Sequence, residues 1–247
     1  MAIRHLTSAL RLSLLAALCS LSFASSFPAQ EEELIRVHFR SFLLHGNPPS
    51  GSLHFINHDG KKHLVEIRSN RLPHNASLYE GTNPLIIYQG ETPVASVELP
   101  HESSDIILLF AASARATHAD GDEPVQGYHL FPIPAAMADF PQGSYLLFNL
   151  TRRPVAALVG GQPVQLPPGN HQLVRPAQTD SDNLVMRFAE YRDDAWQRSM
   201  NVAFYYRPDQ RQMLFITENN DATRSLSLRA INDRDFKPQP IDPENDS

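Results

Sequence analysis

Beyond residue 30, apolar positions come in short continuous or alternating runs. They recur about every ten residues and are punctuated by Pro, Gly, Asn and Asp, the signature of a β-sandwich or barrel. No stretch sustains the i, i+3, i+4, i+7 spacing of a long helix. Strands are predicted at LIRVHFRSFLL (34–44), GSLHFIN (51–57), HLVEIRS (63–69), PLIIYQ (84–89), PVASVEL (93–99), DIILLFA (105–111) and GYHLFPI (127–133). A second series covers GSYLLFNL (143–150), PVAALVG (154–160), QPVQL (162–166), HQLVRP (171–176), NLVMRFAEY (183–191), WQRSMNVAFYY (196–206), RQMLFIT (211–217) and SLSLRAI (225–231). Helix is limited to one turn in IPAAMADF (133–140).

Gly160-Gly161 and Pro167-Pro168-Gly169-Asn170 supply the φ values that tight connections demand, and Arg192-Asp193-Asp194-Ala195 is a further hairpin turn. The break in the series is PIPAAMADFPQ (132–142), with three prolines. The pattern therefore predicts an all-β fold of two tandem antiparallel β-sandwich-like domains, 31–132 and 143–231. One large sandwich is the alternative. GSLHFIN (51–57) and GSYLLFN (143–149) share Gly, Ser and Asn in register, an echo consistent with duplicated halves. The Pro-rich polar tail, 237–247, is predicted disordered.

The first residues change the picture of where the chain works. Arg4 and Arg11 supply positive charge ahead of the apolar stretch Leu12 to Leu21, and Ser22-Phe23-Ala24 offers small residues at a cleavage position. This layout predicts a signal peptide over 1–24 and an exported product, periplasmic or extracellular, with no membrane span after cleavage. Cleavage also removes Cys19, the single cysteine, so the mature chain is disulfide-free and held by burial alone. Loss of two arginines takes the net charge from −6 to −8. With no basic cluster larger than a dipeptide, nucleic acid is excluded as a partner.

Candidate chemistry is sparse. LHFINHDGKKH (53–63) carries His54, His58 and His63 in eleven positions. As a hairpin turning at Asn57-His58-Asp59-Gly60-Lys61, it places Phe55 opposite His63 and sets His54 on the other face. The three imidazoles then cannot converge on one metal. HESSD (101–105) lacks the second histidine of a zinc protease helix. HADGDEP (118–124) and TDSDN (179–183) have Asp-x-Asp spacing, with Asp120 and Asp122 the ligand candidates for calcium. Neither has the later glutamate of a full loop, and both read as solvated turns. Asn75-Ala76-Ser77 and Asn149-Leu150-Thr151 match the glycosylation sequon. No nucleophile motif or phosphate loop occurs, so no cofactor and no catalytic residue is assigned. Trp196, Tyr191, Tyr205 and Tyr206 gather on one hairpin and are the candidate binding residues. Tyr205 and Tyr206 point to opposite faces.

The stretch YLLFNLTRRPVAALVGGQPVQLPPGNHQLVRP, with the Trp196 hairpin and RQMLFIT after it, resembles a group of exported bacterial β proteins of unassigned function. These join an N-terminal β domain to a second one opening on an FxNLT-x-x-PV strand. The resemblance covers about residues 30–231 and implies two β domains and no catalytic residues. The function expected is a non-enzymatic module of the cell envelope that binds a protein or glycan partner. The alternatives are a periplasmic polysaccharide-acting hydrolase and a subunit of a cell-surface assembly.

Overall fold

The computed structural model describes residues 33–117, 125–177, 183–221 and 224–233. The expected signal peptide (1–24) and tail (237–247) lie outside these residues. Within them the secondary structure is all β. The first half contains β1 (Ile35–His45), β2 (Leu53–Ile56), β3 (Lys62–Leu64), β4 (Ile67–Arg68), β5 (Ser77–Gly81), β6 (Leu85–Gln89), β7 (Thr92–Val97), β8 (Asp105–Thr117) and β9 (Val125–Pro134). The second contains β10 (Tyr145–Asn149), β11 (Val155–Val159), β12 (Gln162–Leu166), β13 (His171–Val174), β14 (Asn183–Arg192), β15 (Ala195–Tyr205), β16 (Arg211–Asp221) and β17 (Arg224–Asp233). The expected strand HLVEIRS splits into β3 and β4, which belong to different sheets, and β5 is an additional strand. IPAAMADF makes one turn, closed by Phe140 N–H to Ala136 C=O at 2.8 Å.

Four sheets result: β4-β1-β8-β9 with β5 also on β1, β3-β2-β6-β7, β13-β10-β16-β17, and β12-β11-β14-β15. Both halves share one connectivity. Strands β1, β2, β6, β7, β8 and β9 take the places of β10, β11, β14, β15, β16 and β17, and the parallel pairs β1–β8 and β10–β16 are equivalent. A parallel neighbour needs a long crossover, and in each half the other sheet supplies it. The Gly-Ser-Asn echo does not mark this relation: GSLHFIN holds β2, whose counterpart is β11, whereas GSYLLFN holds β10.

Three apolar cores separate the sheets. One lies between β3-β2-β6-β7 and β4-β1-β8-β9, built on Phe39, Phe55, Ile87 and Phe110. A second lies between β13-β10-β16-β17 and β12-β11-β14-β15, built on Leu147, Met186, Phe188 and Ile216. The third, with Phe42, Ile107, Leu109, Phe148, Met213 and Phe215, joins the two halves. The sheets holding β1, β8, β10 and β16 are thus covered on both faces, which explains IILLF, YLLF and MLFI as continuous apolar runs. Strand β14 borders solvent on one face, and its burial alternates residue by residue.

Polar groups complete the joint between the halves. Asp233, at the end of β17, accepts a bidentate pair from Arg40 of β1 at 2.6 and 2.9 Å, and Nε–H of Arg211 at 2.8 Å. All three side chains are buried. Arg211 Nη1 also donates to the carbonyls of Ala135 and Phe140, at 2.7 and 2.5 Å, so the β9–β10 connection is tied to the same cluster. Arg229 of β17 lies over the Phe42 ring and donates to the carbonyls of Leu44 and Ser69.

The Asn-Leu-Thr motif after β10 is structural. Asn149 is fully buried; its Nδ2 donates to Arg153 and Leu166 carbonyls at 2.8 Å each, and its Oδ1 accepts Thr151 N–H and Oγ1–H at 3.0 and 2.8 Å. Every hydrogen-bonding position of the amide is used, so in the folded chain this sequon offers no acceptor nitrogen. Asn149→Ala is expected to lower stability by about 2 kcal/mol, because the Leu166 carbonyl and the Thr151 N–H lose the buried amide that pairs with them, while Thr151 Oγ1 still donates to Arg153. Urea denaturation midpoints check this, and an unchanged midpoint would contradict the role.

Candidate binding face

The histidine hairpin folds as its turn residues dictate. Gly60 takes φ +77°, Asn57 N–H bonds Lys61 C=O at 3.1 Å, and Phe55 pairs with His63 and His54 with Leu64. His63 stacks on Phe55, while His54 is buried on the opposite face against Tyr88. His58 stands in the turn, 3.2 Å from the Glu80 carbonyl. Among the described residues no three His, Cys, Asp or Glu side chains gather as a metal site needs. Asp120 and Asp122 lie outside the described residues.

The aromatic hairpin is the more informative feature. Strands β14 and β15 meet in a two-residue turn in which Asp193 and Asp194 both have positive φ, 53° and 60°, as a type I′ turn requires. Tyr191 and Trp196 are cross-strand partners, edge to face at 5.4 Å, and both are exposed. Tyr205 pairs with Asn183 nine positions beyond Trp196. In a regular strand that odd spacing would put the two rings on opposite faces. A bulge opposite Phe188 and Ala189 adds one residue to β15, so Trp196, Arg198, Asn201, Ala203 and Tyr205 share the outer face. Tyr205 is 61% exposed. Tyr206 points inward instead and stacks on Tyr145, whose hydroxyl is pushed up to about 12 by burial and then by the neighbouring Tyr206. Three of the four candidate aromatics therefore belong to one surface and the fourth to the core.

That surface, the outer face of the β12-β11-β14-β15 sheet, contains a shallow depression of about 420 Å³ between β12 and β15. Small side chains, Ala156 and Ala189, form its floor, and Arg187 and Arg198 border it. Among the described residues neither arginine has an ion-pair partner. Glu190 points inward between Arg153 and Arg192, and Asp193 and Asp194 stay in the turn beyond the face. The face thus combines exposed rings at its two ends with two guanidinium groups between them, and among the described residues it carries no carboxylate.

Strand β15 also bounds a second concavity. It forms one sheet edge and β17 another, and the two splay around a groove of about 590 Å³ bordered by Met200, Val202, Phe204, Leu226 and Leu228. Their counterparts in the first half, β7 and β9, pack closely. A third cavity, about 340 Å³ at the joint, has Asp233 as its one carboxylate, already held by Arg40 and Arg211. Among the described residues none of these three cavities presents the carboxylate pair that glycoside cleavage requires. Among the described residues no helix is long and apolar enough to cross a membrane. Comparison with known proteins finds no family whose model matches the chain and no curated protein similar to it.

Proposed function

We propose that this chain is an exported, non-enzymatic module of the cell envelope that binds an extended polymer on the outer face of the β12-β11-β14-β15 sheet. The observation that carries the reading is the placing of Tyr191, Trp196 and Tyr205 on one exposed surface by the β15 bulge. Exposed aromatic groups with polar neighbours mark binding surfaces, because rings supply contact area at small entropic cost. Export rests on the signal-like N-terminus, and an envelope setting on the resemblance drawn from the FNLT region.

Trp196 is the only tryptophan, so its fluorescence reports on this face alone. Soluble envelope polysaccharide and peptidoglycan fragments are expected to shift its emission, and a Tyr191→Ala/Tyr205→Ala variant to lose about tenfold in affinity, 1.4 kcal/mol shared between two rings. Release of reducing ends from those polymers would overturn the non-enzymatic reading in favour of the hydrolase. The assembly alternative is favoured by one observation, the open β15–β17 groove, which suits an added strand with alternating apolar side chains.

A further inference from the structure

We infer that the ligand of this face is an acidic glycan of the polyuronate class, stacked at Trp196 and Tyr205 and held through its carboxylates by Arg187 and Arg198. The inference rests on the binding-module reading and adds the chemistry of the ligand.

Charge is the first argument. The chain is net acidic, at −6, yet among the described residues this face carries two arginines and no carboxylate. An acidic polymer is repelled by the chain's net charge and attracted where Arg187 and Arg198 stand, so electrostatics select both the ligand and its position. Guanidinium forks match carboxylates in a planar, two-bond geometry that an ammonium cannot reproduce.

Shape is the second argument. Trp196 and Tyr205 lie about 27 Å apart along the sheet, the eight steps from Tyr191 to Asn183 at the rise of an extended strand, long enough for a chain of several sugar rings. Between them the small side chains of Ala156, Ala189 and Ala203 leave a shallow floor for flat rings, with no deep pocket for a protein side chain to anchor in. Strands β11 and β14 are paired on both sides, so the middle of the face has no open backbone to recruit a peptide strand.

The test titrates the chain with an oligogalacturonate, a neutral cello-oligosaccharide of equal length, and polyglutamate, following Trp196 emission at low and high salt. The oligogalacturonate is expected to bind tightest, to weaken at high salt, and to lose at least about tenfold in affinity with Arg187→Gln/Arg198→Gln, as charge-assisted bonds disappear. The exposed substitutions are expected to leave the melting temperature unchanged. Equal binding of the neutral oligosaccharide overturns the acidic class but leaves the module standing. Stronger binding of polyglutamate replaces a glycan by an acidic polypeptide. Unchanged affinity in the arginine variant removes the assigned contacts, and no response to any of the three probes overturns the acidic glycan. The module reading then stands or falls separately, on the envelope-polymer titration.

Discussion

Asp233→Ala is expected to destabilise the protein by about 3–5 kcal/mol, because it leaves the guanidinium groups of Arg40 and Arg211 buried without the carboxylate between them. Asp233→Asn, which keeps hydrogen-bonding oxygen but no charge, is expected to cost less. Adding Arg40→Met to Asp233→Ala is expected to restore part of the loss, since one of the two buried guanidinium charges goes with it. Urea denaturation of the three variants measures this, and a cost below about 1 kcal/mol for Asp233→Ala would contradict a buried cluster. The same carboxylate gives an acid signature. Burial alone would raise Asp233, but the hydrogen bonds and charge of Arg40, with the charge of Arg211, outweigh it and hold the group below the ordinary carboxylate value. A proton therefore binds the unfolded chain more readily than the native one. The stabilisation is complete above the unfolded value of about 4 and is lost as pH falls through the lower folded value. Stability of Asp233→Ala is expected to depend less on pH in that range.

What the sequence reveals of this fold depends on how far each signal reaches along the chain. Turn chemistry is local, so Asn57 to Lys61 determined the histidine hairpin and its register, and with it the separation of His54 from His63. The strand series is also local, and most predicted strands are present within a few residues. Strand β5 escapes because SLYEG has a weak pattern of its own and depends on pairing with β1. The third core was written in the continuous runs of β8, β10 and β16, whose lack of alternation marks strands covered twice. The Arg40–Asp233–Arg211 cluster leaves no such mark, because its members are 22 to 193 positions apart and nothing local tells a buried arginine from an exposed one. The binding face is an intermediate case. Its aromatics are visible on one hairpin, but the bulge that brings Trp196 and Tyr205 together is a pairing property of two strands.

Phe215→Ala is expected to be as damaging as loss of Asp233, by a different route. Phe215 lies on β16 in the core between the halves, wholly buried, stacked at 4.9 Å on Phe148 and at 6.2 Å on Phe42 from the other half. Truncation leaves a cavity between two sheets already held apart by their other large side chains, so collapse is limited and the cost is about 3–5 kcal/mol. By contrast Phe131, 51% exposed on β9, is expected to tolerate alanine within about 0.5 kcal/mol. Each half retains its own core, built on Phe55 and Ile87 in one and on Met186 and Phe188 in the other. Loss at the joint therefore weakens coupling more than it weakens either half. The parent is expected to unfold in a single transition, and Phe215→Ala in two, with proteolysis starting in the β9–β10 connection that Arg211 otherwise ties down. A single transition shifted by less than about 1 kcal/mol would show that the joint does not couple the halves.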